Sequence, residues 1–302
     1  MNCFKCGNFF VTLILVYSLL SCNRNQVAEY HRNGNLKLSY FVNSEGNIHG
    51  VYKSFYESGN ISELKYFDNG ILVDSLLTFY DNPNIPVKSK DLYHKQYTKT
   101  LHFNKNGDTI KKGRFFKTNR IGKWIFHNDD IDSIVEYKLI SGSSYTNQIW
   151  IRDNSTNDTL ISRGNYFLLR HKDTINVTEN LRIKLFLKES FYGEESNMFL
   201  VIPKLEKELN KDYSNWDIIE KDTILSLKND GIPHPELPID FPVNHFVEFA
   251  LEDTGSGKKI LRGILVEYSR NKEIEGLGYD TVERRLYFDT EYYVKDNKLD
   301  SR

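Results

Sequence analysis

Between Tyr30 and Phe126 the chain alternates apolar and polar positions in short runs separated by turn residues. Leu36-Lys-Leu38-Ser-Tyr40 has the period of two that marks a strand with one face toward a core. Gly50-Val-Tyr52-Lys-Ser-Phe55 returns after the turn Ser44-Glu45-Gly46-Asn47. Ile61, Leu64 and Tyr66 lead to Asp68-Asn69-Gly70, then Ile71 to Phe79. Asn-Gly between two alternating runs predicts a hairpin, because both central positions need positive φ. The pattern recurs through Asn106-Gly107, Gly113 to Phe116 and Gly122-Lys-Trp124-Ile-Phe126.

An aromatic residue followed four positions later by a turn residue marks each unit: Tyr30, Phe55, Phe79, Phe103 and Phe126, spaced 25, 24, 24 and 23 residues apart. A period of that size predicts a repeat architecture of about five hairpins. The third unit carries Pro83 and Pro86 in place of its turn glycine and part of a strand, which predicts a sheet edge or a kink there. The segment Gly50 to Gly59, with Glu63-Leu-Lys-Tyr66, Asn69-Gly70 and Arg120-Ile-Gly122-Lys-Trp124-Ile-Phe126, resembles the MORN-variant repeat of bacterial envelope proteins and predicted antitoxins. The resemblance covers about a third of the chain. It implies β-hairpin units that stack into a long curled sheet, a geometry in which neighbours bury what one hairpin cannot.

The period is lost near residues 138–148, where small polar residues cluster, so the sequence places a domain boundary at 140/141. Beyond it, strand signals occur at Gln148–Arg152, Tyr166–Arg170, Leu181–Leu187, Met198–Ile202, Thr223–Leu227, His245–Leu251, Ile260–Tyr268 and Val282–Phe288. This count predicts a β-sandwich over 141–302, with an Ig-like arrangement as one form. Leu205, Leu209 and Tyr213 have helical spacing and predict one short helix over Lys204–Tyr213. The expected fold class is therefore mostly β: a sheet of MORN-like hairpins over 30–140, then a sandwich.

The N-terminus changes the picture by giving an address. Lys5 precedes an apolar run, Phe9 to Leu20, too short for a membrane span. Leu19-Leu20-Ser21-Cys22 resembles a bacterial lipobox, which implies cleavage of a signal peptide over 1–21 and lipidation of Cys22. The other reading is an ordinary signal peptide with a nearby cysteine. Several acyl chains on one residue suffice for a stable membrane anchor. Residues 22–29 then read as a tether, and the absence of an acidic run after Cys22 favours the periplasmic face of the outer membrane. Cys3 and Cys6 fall in the removed peptide, so the expected mature chain keeps only Cys22 and has no disulfide.

Composition adds exclusions. Aromatics make up 14% of the chain, far from a disordered composition, and the formal net charge is −1 without one-sign blocks, which excludes a nucleic-acid footprint. No catalytic or cofactor-binding signature is present, so no cofactor is expected.

His234-Pro-Glu236 with Asp240 and His245 supplies metal-ligating types at a spacing that matches no ligand motif. Gly255-Ser-Gly257-Lys258-Lys259 has the glycines and lysine of a phosphate loop, but Lys259 replaces its Ser/Thr and a strand pattern follows, so a glycine-rich hairpin fits better. The paired acids Asp129-Asp130, Glu194-Glu195 and Glu252-Asp253 read as strand ends.

Asp-Ser/Thr-aliphatic triplets place hydroxyls at Ser75, Thr109, Ser133, Thr159, Thr174, Thr223 and Thr281. The triplet is similar to the O-glycosylation sequon of exported Bacteroidetes proteins. Equally, Asp ends a turn and Thr opens a strand.

The leading expectation is a non-enzymatic, lipid-anchored envelope protein with a protein or glycan partner. Tyr52, Tyr56, Tyr66, Tyr80 and Trp124 are its candidate binding surface, since Tyr and Trp combine area with hydrogen bonding. The alternatives are an antitoxin or immunity role and an envelope polysaccharide hydrolase in the C-terminal half.

Overall fold

The computed structural model describes residues 25–296, apart from 83, 85–86, 157–159, 205–206, 253–254 and 271–280. The protein is almost wholly β and divides into two compact units, Met1–Ile110 and Lys111–Arg302. The sequence reading had set its boundary at 140/141. That position is the two-residue turn Ser141–Gly142, where Ile140 pairs with Ser143 across a hairpin.

The first unit is an antiparallel meander. Its strands are β1 (Asn25–Tyr30), β2 (Leu36–Val42), β3 (Gly50–Phe55), β4 (Ile61–Asp68), β5 (Ile71–Phe79), β6 (Val87–Tyr93) and β7 (Thr98–Phe103). Each pairs with the next in sequence order. Residues 25–29, expected as tether, form most of β1.

Of the two expectations for the third unit, a sheet edge or a kink, the edge is corrected. β5 pairs with β4 on one side and β6 on the other, and β6 also pairs with β7. Pro83 and Pro86 lie outside the described residues and, in sequence, between β5 and β6. Neither strand therefore gives up a ladder N–H to proline.

The marker aromatics have a structural cause. The register slips at Glu29/Tyr30, Ser54/Phe55 and Thr78/Phe79, so the first three markers each end their strand at a bulge. The turn that follows has the same form after Tyr30, Phe55 and Phe103, where Asn104 N–H donates to Asp108 C=O at 2.9 Å. His31 and Tyr56 N–H donate to Asn35 and Asn60 C=O at 2.8 Å, and Gly34 and Gly59 sit at φ +88° and +90°. Those two positions need glycine because a Cβ is strained at that φ.

The residue after each of the first three markers then reaches one repeat onward. His31 Nε2 lies 3.0 Å from the Phe55 carbonyl, Tyr56 Oη donates to Phe79 O at 2.7 Å, and Tyr80 Oη to Phe103 O at 2.8 Å. The period of about 24 residues is the spacing of this ladder.

Among the described residues no apolar core lies beneath these strands. Every fully buried apolar side chain among the described residues belongs to the second unit. One face of the sheet carries the row Val27, Tyr40, Tyr52, Lys65, Leu76, Asp91 and Thr100, and the other the row Ser39, Lys53, Leu64, Leu77, Lys90 and Leu101. Stability must come from cross-strand pairs of this kind. Tyr40 stacks on Tyr52 at 5.7 Å, and Lys65 lies over the Tyr52 ring.

In the second unit, β8 (Thr109–Phe116, which crosses the boundary), β9 (Asn119–His127), β10 (Ile131–Ile140), β11 (Ser143–Asp153) and β12 (Leu160–Arg170) continue as hairpins. β12 then pairs with β14 (Leu181–Glu189), and β14 with β17 (Phe246–Leu251). A second sheet runs in the order β13 (Thr174–Asn176), β19 (Thr281–Lys295), β18 (Gly257–Arg270), β15 (Asn197–Pro203), β16 (Lys221–Leu225).

The two sheets form a sandwich. Leu185, Leu187 and Val247 from one pack against Met198, Leu200, Ile202, Leu265, Leu286 and Phe288 from the other, all at most 3% exposed. β14 alternates because one face is solvated: Leu181, Ile183, Leu185 and Leu187 point inward while Arg182 and Lys184 meet Glu248 outside. Ile264-Leu265-Val266 and Leu286-Tyr287-Phe288 do not alternate, because that sheet is buried on both faces.

The outer face is covered by the stretch predicted as a helix. Leu209 and Tyr213 are buried there against Ile264, Val266 and Tyr287, but the described part of Lys204–Tyr213 is irregular chain. Tyr213 has φ +58° and donates its hydroxyl to Phe288 O at 2.7 Å. Contacts with the sheet, not a helical repeat, set this segment's spacing.

Leu185→Ala should cost the second unit about 3 kcal/mol in urea denaturation, the scale of a cavity in a packed core. Tyr56→Phe should cost about 1 kcal/mol in the first unit, the worth of one hydrogen bond.

Candidate functional site

The candidate binding aromatics occupy different environments. Tyr66 is 47% exposed and lies opposite Val51 and Val73. Ile71, 68% exposed, is on the same face, two residues before Val73. Val51, Tyr66 and Ile71 thus form an exposed apolar patch, flanked by half-buried Leu64 and Leu77. Tyr52 sits on the opposite face, enclosed by Tyr40, Phe67 and Lys65. Tyr56 and Tyr80 are half-buried and their hydroxyls are committed to the repeat ladder.

Trp124, in the second unit, is only 1% exposed and offers no surface. Its indole covers Gly113, where a Cβ would fall 2.1 Å from the ring, and its Nε1 donates to Arg114 O at 3.1 Å. Arg120 stacks on its other side at 4.8 Å. The glycine and tryptophan of the repeat pattern therefore serve packing at this position.

Cys22, with the rest of residues 1–24, lies outside the described residues, as does Thr159. Among the described residues no helix is long and apolar enough to cross a membrane. Thr109, Thr174 and Thr281 each open a strand, while Thr223 is the third residue of β16. Thr174 and Thr223 present exposed side chains; Ser75, Thr109 and Ser133 are half-buried. Asp132 of one triplet is buried, bound by Arg152 Nη2 at 2.6 Å, His127 Nδ1 at 3.0 Å and Asn154 Nδ2 at 3.0 Å. These partners hold its carboxyl below the usual range against the opposing effect of burial.

The metal-type residues do not converge. His234 Nε2 contacts Asp230 at 2.9 Å and its Nδ1 lies 3.6 Å from Glu236, whereas His245 bonds Ser196 instead and Asp240 is exposed. Among the described residues no group of three His, Cys, Asp or Glu could hold a metal. The glycine-rich segment leads into β18 from Gly257, so no helix N-terminus follows to cradle a phosphate. Asp129, Asp130, Glu194 and Glu195 are exposed.

The chemistry-bearing cluster that sequence reading missed surrounds Glu267. This carboxylate, fully buried within β18, accepts from Phe191 N at 2.9 Å, Tyr192 N at 3.0 Å and Ser196 Oγ at 3.2 Å. Its other oxygen accepts from Asn165 Nδ2 at 3.1 Å. Ser196 Oγ lies 2.8 Å from His245 Nε2.

Serine, histidine and glutamate are the members of a hydrolase triad, but they are connected differently. In a triad the acid orients the histidine from its far nitrogen. Here Glu267 binds the serine, and Ser196 is itself fully buried. The arrangement ties the Ser190–Ser196 connection to β18 and holds the Ser196 hydroxyl in the interior. The available signal was one charge inside the apolar run Ile264-Leu-Val-Glu267-Tyr268.

Two clefts of the second unit bring polar side chains together. One of about 290 Å³ is lined by Glu136, Lys138, Gln148, His171 and Asp289. Its polar groups are already joined: Glu136 to Asn147 and Gln148, Lys138 to Asp289, and His171 to Thr290. The other, of about 780 Å³, is bordered by Lys204, Lys207, Lys258, Lys259 and Arg262. Comparison of the chain with protein-family models, curated proteins and solved structures gives no match.

Burial holds the His245 imidazole below its ordinary pKa, whereas the Asp230 carboxylate raises that of His234. The signs are opposite. A histidine kept neutral by the fold takes up its proton more readily when unfolded, so stability falls as pH drops below about 6.5. The His234 pair instead contributes below its unfolded pKa and is lost as pH rises through the raised folded value. His245→Asn, whose amide can still bond Ser196, should flatten the loss of urea midpoint between about pH 7.5 and 5.5. An unchanged slope would contradict this assignment.

Proposed function

We propose that this chain is a lipid-anchored cell-envelope protein that works by binding or scaffolding, not by catalysis, through one face of its hairpin sheet. The observation that carries the reading is the patch Val51, Tyr66 and Ile71, with exposures of 37%, 47% and 68%, on a sheet with no apolar core beneath it among the described residues. A contiguous apolar patch on one sheet face is a common mark of a protein contact surface. A tyrosine at its centre supplies both area and a hydrogen-bonding tip. The resemblance of Gly50 to Gly59 and Arg120 to Phe126 to MORN-variant repeats is consistent with a platform of this kind. Support for the anchor comes from the sequence alone: Lys5, the apolar run Phe9–Leu20 and Leu19-Leu20-Ser21-Cys22.

Two measurements test the proposal. The full chain expressed in a Gram-negative host should incorporate an alkyne-tagged palmitate that Cys22→Ser abolishes. A photocrosslinking residue at position 66 or 71 should give discrete adducts in intact cells. The same residue at Glu29, which lies on the Tyr52 face, should not. Absence of label would overturn the anchor. Adducts at all three positions alike, or at none, would overturn the binding face.

A further inference from the structure

We infer that the cleft of about 780 Å³ in the second unit binds a small oxyanion-bearing ligand, of the size of a sugar phosphate or a short uronic acid. This site is separate from the sheet face proposed above and does not depend on the lipid anchor. Its volume falls in the range of small-molecule sites. It lies at one end of the sandwich, where β15 and β17 finish and β18 begins. The Glu267 cluster is at the far end of the β15–β18 pair, beside Met198.

The floor is apolar and firm. Ile202 is 3% exposed and Tyr292 8%, with Leu251 and Leu261 packed against the same core. The rim is cationic and comes from two distant parts of the sequence. Lys204 and Lys207 follow β15, and Lys258, Lys259 and Arg262 lie at the start of β18. Among the described lining residues, three acids, Glu208, Asp222 and Glu252, face these five cations, a formal excess of two positive charges.

The loop that carries the first two lysines is pinned. Leu209 is buried and its carbonyl accepts from Arg262 Nη1 at 2.8 Å, while Lys204 N–H donates to Glu220 O at 3.0 Å. Lys258 pairs with Glu291 at 2.8 Å outside the cleft. Lys204 and Lys207 form no ion pair among the described residues, although Glu208 and Asp222 line the same space.

Ordinary solvated lysines are scattered on convex surface. These are held over an apolar-floored cleft by a loop fastened at both ends. That combination fits a ring whose apolar face rests on Ile202 and Leu251 and whose phosphate or carboxylate meets the ammonium groups. An ammonium binds such oxyanions as a point charge, so recognition should be electrostatic and salt-sensitive.

The test is calorimetric titration of the full chain with three probes: inorganic phosphate, glucose 1-phosphate and digalacturonate. At least one should bind saturably. The double substitution Lys204→Gln/Lys207→Gln should weaken it about tenfold or more, and added salt should weaken it further. Lys172→Gln, at an exposed lysine elsewhere, should change nothing, and the urea midpoint of the double variant should match the parent. Binding by glucose 1-phosphate and not digalacturonate assigns a phosphate ligand, and the reverse assigns a carboxylate. No saturable binding by any probe, or binding unaffected by the double substitution, overturns the inference.

Discussion

In the first unit register depends on one repeated hydrogen bond, from the side chain after each of the first three marker aromatics to the carbonyl of the next marker. His31, Tyr56 and Tyr80 make it in turn. A single-layer sheet has no core to punish a slipped register, so register must be set locally. The bulges at these markers, the glycine turns and this reach across one repeat do that together. Asn60 adds a parallel contact to Asp81, and Asn33 one to the Glu57 carbonyl. The cost of such a design is apolar surface left in water, which is why the patch at Val51, Tyr66 and Ile71 matters to the functional reading.

The second unit solves the same problem by burial. Its smaller sheet is covered on both faces, and the polar groups inside it are satisfied by one another. Asn147 joins Glu136 to the Tyr287 backbone, donating to its carbonyl and accepting from its N–H, and Asn165 joins Glu267 to the Glu189 carbonyl. Arg284 binds the Asn147 carbonyl and lies over the Phe191 ring. A buried polar network fixes one arrangement because every alternative strands an unpaired group. Such a network can resemble an active site by composition while its hydrogen bonds hold the fold together.

Much of the fold was legible from alternation and turn chemistry. Leu181 to Leu187 reads as a half-buried strand and is one, and the Asn69-Gly70 turn joins β4 to β5 as its dipeptide requires. The misreadings have physical causes. Leu209 and Tyr213 mimic a helical spacing because a loop lying on a sheet also places apolar residues at intervals; Leu205 lies outside the described residues. Prolines in the third unit suggested an edge because sequence alone cannot separate strand from connection. Trp124 looked like surface because an aromatic in a hairpin repeat can face either side, and only Gly113 opposite it decides which. The candidate sites were the least legible, since the lysines of the cleft and the partners of Glu267 come from segments far apart in sequence.

Hydrogen–deuterium exchange on the full chain tests the central contrast most directly. Amides of β14, β15, β18 and β19 should exchange only with global unfolding of the second unit. Amides of β2 to β7 should exchange through smaller openings, in hairpin blocks bounded by the turns at Gly34, Gly46, Gly59 and Gly70. Protection of β2 to β7 equal to that of the sandwich would contradict the account, because it would require a covered face that the open sheet does not have.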